Sequence, residues 1–334
     1  MNSMRVAVIG GGSWGTTVAH LCSYNAPTTI FARRPEVVAG INENQENPRY
    51  LPGLPLHPEL RAVDELESAV DGADVVVMGV ASAGFAETLP ALAAVIGDGV
   101  PVVSLAKGLD RNTGRRMSEL ICEVLPDHPV GVLSGPNLAK EVLAGKAAAT
   151  VISFEDIDIA TQLQEVFATD RFRVYTNPDL VGCELGGALK NVIAIAAGMA
   201  DGLGAGDNTR AAVITRGLAE VTRLGVAMGG QASTFMGLAG MGDLMATCIS
   251  PQSRNHTVGV ELGKGRQLDE IIAEMNQVAE GVKSAPVVTA LGKSHGVDLP
   301  IAEEIRAVVE DGRTAKEVYR GLLQRPAQGE ANRL

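Results

Sequence analysis

Two periodicities divide the chain. Up to about residue 175, short runs rich in Val and Ile alternate with stretches of helical spacing; beyond it the strand-like runs vanish and helical spacing takes over. Met4 to Ile9, Thr28 to Ala32, Ala73 to Val80, Val100 to Ala106, Gly131 to Ser134, Thr150 to Ser153 and Arg171 to Tyr175 read as strands. The continuously apolar ones are of the kind buried on both faces of a parallel sheet. Helices are expected near Pro35 to Asn44 and over Ala81 to Ile96, and the segment NENQENPRYLPGLPLHP is too rich in breakers to be regular. The alternation predicts an α/β fold: an N-terminal doubly wound sheet over residues 1–180, then an all-α domain over residues 181–334.

The longest small-and-apolar run of the helical half is GCELGGALKNVIAIAAGM, Gly182 to Met199. A helix apolar on every side is a buried helix. It carries one ammonium, Lys190, and burying an unpaired lysine is expensive, so Lys190 is either neutralised, by Glu184 or a distant acid, or put to chemical use. The adjacent Gly186 and Gly187 weaken a helix by about 1 kcal/mol each relative to Ala. They imply that a second backbone or a ligand comes close.

At the other end, the first strand runs into Gly10-Gly11-Gly12-Ser13-Trp14-Gly15 and then a helical stretch. Strand, G-x-G-x-x-G and helix in that order are the Rossmann-type dinucleotide fingerprint. Gly10 permits the tight turn, Gly12 lets backbone approach a pyrophosphate, and Gly15 allows close packing of helix on strand. The second strand ends at Arg33-Arg34, where an NAD site usually has an acid for the ribose 2′-hydroxyl. Arginine there suits a 2′-phosphate, so NADP(H) is expected, with NAD(H) as an alternative. Lys107 and Gly135-Pro136-Asn137-Leu138-Ala139 follow the carboxyl ends of further strands, the edge at which ligands of such sheets bind.

Composition narrows the partners. With 28 basic and 39 acidic residues the net charge is −11, which repels polyanions and argues against nucleic acid. An anionic ligand then needs a local basic cluster. Ser253-Arg254-Asn255 provides one: an arginine fork with side-chain donors beside it is what a phosphate dianion requires. No run of about 18 residues free of charge or turn signals is present, so no membrane span is expected. MNSMRVAVIGGG leads straight into a strand without a signal-peptide layout, and the chain reads as cytoplasmic. Cys22, Cys122, Cys183 and Cys248 are widely spaced and the five histidines do not cluster, so no metal site is expected.

GGGSWGT at 10 to 16, NPRYLP at 47 to 52, KGL at 107 to 109, SGPNLAKE at 134 to 141, ELGGALKNVIAIAAG at 184 to 198, GMGDL at 240 to 244, SRN at 253 to 255 and VAEG at 278 to 281 together resemble the NAD(P)-dependent glycerol-3-phosphate dehydrogenase family. The resemblance runs in order over nearly the whole chain. It implies reversible reduction of dihydroxyacetone phosphate to sn-glycerol 3-phosphate, a precursor for phospholipid synthesis, by a homodimer. By the same resemblance Lys190 is the proton donor and acceptor, Lys107 and Asp243 fix the substrate, and Ser253, Arg254 and Asn255 hold its phosphate. Gly135 and Asn137 belong to the same substrate set; Asn137 stands where the family commonly has Ser or Thr. Ser13, Trp14, Arg33, Ala139, Val278 and Glu280 face the cofactor, with Lys107 and Arg254 shared between the two ligands.

Two rival readings come from other classes. In one, the chain is another Rossmann-type dehydrogenase, of 3-hydroxyacids or of nucleotide sugars, the latter with Cys248 as a thiol nucleophile; no His or Lys stands near Cys248 in sequence to activate it. In the other, the chain is a non-catalytic NAD(P)H sensor. Such a sensor has no need of the Lys190, Asp243 and Arg254 set.

Overall fold

A computed structural model describes residues 4–275 and 279–324. The described chain forms two compact units, one of residues up to Asp110 together with Arg115–Leu180, the other of Arg111–Gly114 together with residues from Val181 on.

The first unit is an eight-stranded sheet: β1 (Val6–Ile9), β2 (Thr28–Phe31), β3 (Arg61–Val63), β4 (Val75–Met78), β5 (Val102–Ser104), β6 (Val130–Ser134), β7 (Ala148–Phe154) and β8 (Phe172–Asn177). The strands lie in the order 3-2-1-4-5-6-7-8, so the chain starts in the middle and winds outward both ways. Its helices are α1 (Ser13–Cys22), α2 (Pro35–Asn44), α3 (Leu66–Val70), α4 (Phe85–Ala93), α5 (Met117–Val124), α6 (Ala139–Leu143) and α7 (Ile157–Phe167). Val18, Val37, Ile41, Leu163 and Phe167 cover one face of the sheet from α1, α2 and α7. Phe85, Leu89, Met117 and Ile121 cover the other from α4 and α5.

The direction of one strand and the presence of β3 depart from the sequence reading. β7 runs antiparallel to β6, whereas β8 is parallel to β7. Between β6 and β7 the chain spends its residues on a loop and the one-turn α6, which packs on α1, and Gly145 (φ +75°) turns it back from the same end. The longer α7 packs on both β7 and β8 and carries the chain across for a parallel pairing. β3 follows the breaker-rich segment and is only three residues long, too short for a period-2 pattern to register. The Asn42 side chain closes its open edge, donating to the Ala62 carbonyl at 2.8 Å and accepting from the Ala62 amide at 2.8 Å.

The second unit is helical: α8 (Leu180–Gly202), α9 (Asp207–Ala227), α10 (Ala232–Phe235), a π-helical turn at Leu238–Gly242, α11 (Asp243–Ile249), α12 (Arg254–Gly263), α13 (Leu268–Glu274), α14 (Glu280–Ser294), α15 (Pro300–Asp311) and α16 (Ala315–Gln324). α8 is long and apolar enough to cross a membrane by composition alone, yet 94% of that stretch is buried inside the protein. It is a core helix. Its glycines explain how it is packed: a methyl group at Gly198 would strike the His256 carbonyl, and one at Gly202 the Val260 carbonyl, both on α12. Reciprocally, a methyl at Gly259 or Gly263 of α12 would strike α8 backbone at Ile195 or Met199. α12 therefore lies backbone to backbone on α8, with no side chains to slide on.

Glu220 ties α9 to α15. Its buried carboxylate accepts from the amides of Ile301 (2.8 Å) and Ala302 (3.2 Å) in the first turn of α15. Burial dominates over those bonds and pushes the carboxyl up to about 7 from an ordinary 4.5. A carboxyl raised on folding stabilises most below its unfolded value and loses that contribution as pH rises through its folded one. The unfolding free energy of the protein relative to Glu220→Gln should therefore fall by about 3 kcal/mol between roughly pH 4.5 and pH 7, read from urea titrations across that range. A difference that stays constant across the window would show that Glu220 is ionised in the fold throughout.

Candidate functional site

The glycine loop is dictated locally. Gly10 has φ +123°, and a Cβ on it would come within 2.8 Å of the Gly79 carbonyl carbon behind β4. A Cβ at Gly15 would collide with the Gly10 carbonyl, so loop, α1 and β4 meet through bare backbone. A Cβ at Gly12, by contrast, would meet nothing within 4 Å. Gly12 is the N-cap of α1, with no side-chain cap and no acid in the first turn, so the helix start keeps its amides and its positive dipole end for an anion. The Trp14 Nε1 donor is buried without a partner among the described residues. Open space over Gly12, uncapped amides and an orphaned donor fit the pyrophosphate and adjoining atoms of a dinucleotide.

Arg33 and Arg34 stand just past β2, the strand beside β1. Their side chains are 77% and 51% exposed, and their nearest acids, Glu87 and Glu36, lie at 3.9 and 3.7 Å. Pairs so exposed hold an arginine weakly, which leaves both cations available to a phosphate.

β5, β6 and β7 bring three more candidates together. Lys107 follows β5 and donates from Nζ to the Gly135 carbonyl at 2.7 Å. Gly135 follows β6, where a Cβ would press to 3.0 Å on Thr150 of β7. Asn137 donates through Nδ2 to Thr150 Oγ1 at 2.9 Å, and Thr150 in turn donates to the Ser134 carbonyl at 3.0 Å. That chain fixes which way the amide faces, and Asn137 Oδ1 is left buried without a donor among the described residues. Where a Ser or Thr hydroxyl both donates and accepts, this side chain presents a fixed acceptor. The Ala139 carbonyl accepts from Thr17 Oγ1 of α1 at 3.4 Å, which brings it beside the helix that follows the glycine loop.

In the second unit Lys190 is 4% exposed on α8, and the acid that meets it is Asp243, 2% exposed, at the start of α11. Lys190 Nζ donates to Asp243 Oδ1 and to Thr247 Oγ1. Thr247 hands its own proton to the Asp243 carbonyl at 2.7 Å, so its oxygen is oriented to accept from the ammonium. Thr247 is absent from the sequence reading; the signal available was its place four residues after Asp243, on the same face of α11.

Ser253, Arg254 and Asn255 sit at the N-terminus of α12. Ser253 is its N-cap and accepts from the His256 amide at 3.3 Å, while Arg254 is exposed beside it in the electrostatic reach of Glu280 on α14. Asn255 is buried and spans three helices: its Nδ2 donates to Asn191 Oδ1 of α8 at 2.8 Å and its Oδ1 accepts from the Gly281 amide of α14 at 2.9 Å. His256 joins Asp201 of α8 at 2.9 Å, and Asp201 also takes Arg210 of α9 at 3.3 Å. Val278 lies outside the described residues.

Cys248 is fully buried beside the Lys190 pair. Burial pushes its thiol up to about 12; the Lys190 charge opposes this, and the Asp243 and Asp201 charges add to it. A thiol so placed holds almost no thiolate at neutral pH, so it is unsuited to nucleophilic work.

Known proteins similar to this chain point to one family. Residues 5–160 match the model of the NAD-dependent glycerol-3-phosphate dehydrogenase N-terminus, and residues 179–320 that of the C-terminus. An NAD(P)+ glycerol-3-phosphate dehydrogenase from Sphingopyxis alaskensis is 59% identical over 98% of this chain and 99% of its own. One from Mycobacterium avium is 53% identical over 97% of this chain and 95% of its own. The crystal structure of glycerol-3-phosphate dehydrogenase from Coxiella burnetii superposes with a TM-score of 0.92 at 33% identity, covering 97% and 99% of the two chains. On its fold, its motifs and matches that span both of its units, the chain belongs to the NAD-dependent glycerol-3-phosphate dehydrogenase family.

Proposed function

We propose that this chain catalyses the NAD(P)-dependent interconversion of dihydroxyacetone phosphate and sn-glycerol 3-phosphate, with Lys190 moving the proton. The observation that carries the reading is the Lys190–Asp243–Thr247 cluster, a buried ammonium whose orientation two partners fix. When bound, the reduced dinucleotide supplies the hydride for the ketone carbon. Negative charge then grows on the ketone oxygen, and Lys190 delivers a proton to it, taking one back in the oxidative direction. Such positioned acid–base work contributes typically about 10²- to 10⁴-fold. Asp243 and Thr247 together hold the ammonium at one angle. Lys107 and Asn137 serve the substrate oxygens, Asn137 as the acceptor for a hydroxyl. Gly10, Gly12, Ser13, Trp14, Gly15, Ala139 and Glu280 serve the dinucleotide.

The partners are a small phosphorylated substrate and a second copy of the chain in a cytoplasmic homodimer. Met236, Met241, Met245 and Ile249, each at least 40% exposed, supply apolar surface for a self-contact. The product would feed glycerophospholipid synthesis.

Arg254 at the head of α12 holds the substrate phosphate with Ser253, and the helix dipole adds to its charge. A charge-assisted contact of this kind is worth about 1.5–3 kcal/mol, so Arg254→Ala should lower kcat/KM for dihydroxyacetone phosphate by roughly 10- to 150-fold. Phosphate-free dihydroxyacetone should be a poor substrate before the change and hardly affected by it. Equal harm to both ketones in initial-rate assays would move phosphate recognition away from Arg254. Arg33 and Arg34 set the dinucleotide preference. Neutralising both should raise the KM for NADPH well beyond that for NADH, and an equal rise would remove the 2′-phosphate assignment.

A further inference from the structure

The irregular segment between α2 and β3 is built as a strap over the glycine loop. It leaves α2 through Gln45 in a left-handed conformation (φ 49°), passes close over Gly40, where a Cβ would come within 2.9 Å of the Glu46 carbonyl, and is anchored in the core by Leu51 and Leu56. At its centre Asn47 is completely buried. Asn47 Nδ2 donates to the Gly11 carbonyl at 2.9 Å and to Thr16 Oγ1 at 2.8 Å, and its Oδ1 accepts from the Tyr50 amide at 3.2 Å. Ser13 Oγ donates to the Tyr50 carbonyl at 3.4 Å, so the strap grips the loop at one further point.

One consequence follows from the peptide bond itself. A trans peptide is planar, with its C=O and N–H pointing opposite ways. The Gly11 carbonyl and the Gly12 amide belong to the same peptide unit, and with glycine on both sides that unit has little steric bias of its own. Pinning the Gly11 oxygen on Asn47 therefore turns the Gly12 N–H away from the strap. Gly12 is the position over which space is open, and its amide has no partner among the described residues.

We infer that Asn47 is a positioning residue for the dinucleotide: by holding the Gly11 carbonyl it presets the Gly12 amide as a donor to the pyrophosphate. The gain is preorganisation, since a loop already ordered pays less on binding. The inference rests on the dinucleotide reading and adds to it a residue outside the glycine motif.

The chain's single tryptophan, Trp14, lies in that loop, so its emission can report dinucleotide binding directly. The test compares NADPH and NADH dissociation constants of the full protein with those of Asn47→Asp, which is isosteric, keeps the Tyr50 bond and sets a carboxylate against the Gly11 carbonyl. Both constants should rise by about tenfold or more and by the same factor, a loss of about 1.4 kcal/mol, because the pyrophosphate is common to both. At saturating dinucleotide kcat should stay within about twofold of the parent. If Asn47→Asp does not fold, Asn47→Ser, which removes the amide donor without setting a charge against the Gly11 carbonyl, carries the same comparison with a smaller rise. Unchanged dissociation constants, a rise for only one dinucleotide, or a kcat that falls in step with affinity would overturn the inference. A parent protein that binds neither dinucleotide would instead overturn the reading on which it rests.

Discussion

A charge in the middle of a long, buried, apolar helix is the constraint around which the second unit is built. Lys190 lies within a run of α8, Gly182 to Ala200, in which every residue is buried. An isolated ammonium there would cost several kcal/mol and would lose its proton instead. Asp243 answers it from a different helix, 53 residues on, and Thr247 fixes the angle. Taking away one member of such a pair typically costs about 3–5 kcal/mol, because the other is left buried and alone. Under the proposed function, fold and chemistry depend on the same three side chains. The placement of α11 against α8 is a condition for stability and, under the proposed function, also the means of holding a proton for the ketone oxygen.

The glycines work to the same end in both units, since they let backbone come where side chains would keep it away. In the first, Gly10 and Gly15 seat α1 on the sheet and expose its uncapped amides. In the second, Gly198, Gly202, Gly259 and Gly263 lay α12 directly on α8. Packing of that kind lacks interlocking side chains, and polar links hold it in register instead: Asn255 on Asn191 at one level, His256 on Asp201 at another. Both links are one or two residues from Arg254, so the head of α12 is held where its guanidinium and dipole can act together. In both units a helix start is thus fixed by close backbone contact.

What the sequence made legible was local. A strand running into G-x-G-x-x-G and a helix declares its fold and its ligand class within a dozen residues, and a lysine in an apolar helix declares that it needs a partner. Which partner is a long-range fact, and the choice between Glu184 and a distant acid stayed open until α11 was placed. Strand direction is also non-local: the period of β7 is that of any strand, and only the short return through α6 makes it antiparallel. β3 carries three residues and no pattern. Asn47 and Thr247 were missed because each acts through a partner on another element, or through backbone, and Asn47 sits in a segment whose prolines suggested irregularity and nothing more. The fixed acceptor at Asn137 depends on Thr150 across the sheet, and no spacing along the chain encodes it.

The proposed function depends above all on the buried ammonium of Lys190 as the proton donor. Its most direct test is the single-turnover rate of ketone reduction by Lys190→Ala at saturating NADPH, measured with and without added methylamine, with NADPH affinity determined alongside. A fall of 10²-fold or more, at least about 2.7 kcal/mol, is expected, with dinucleotide affinity nearly intact and part of the lost rate restored by the amine. A variant that keeps more than about a tenth of the parent rate would contradict that role, and Lys190 would then be a structural partner of Asp243 alone.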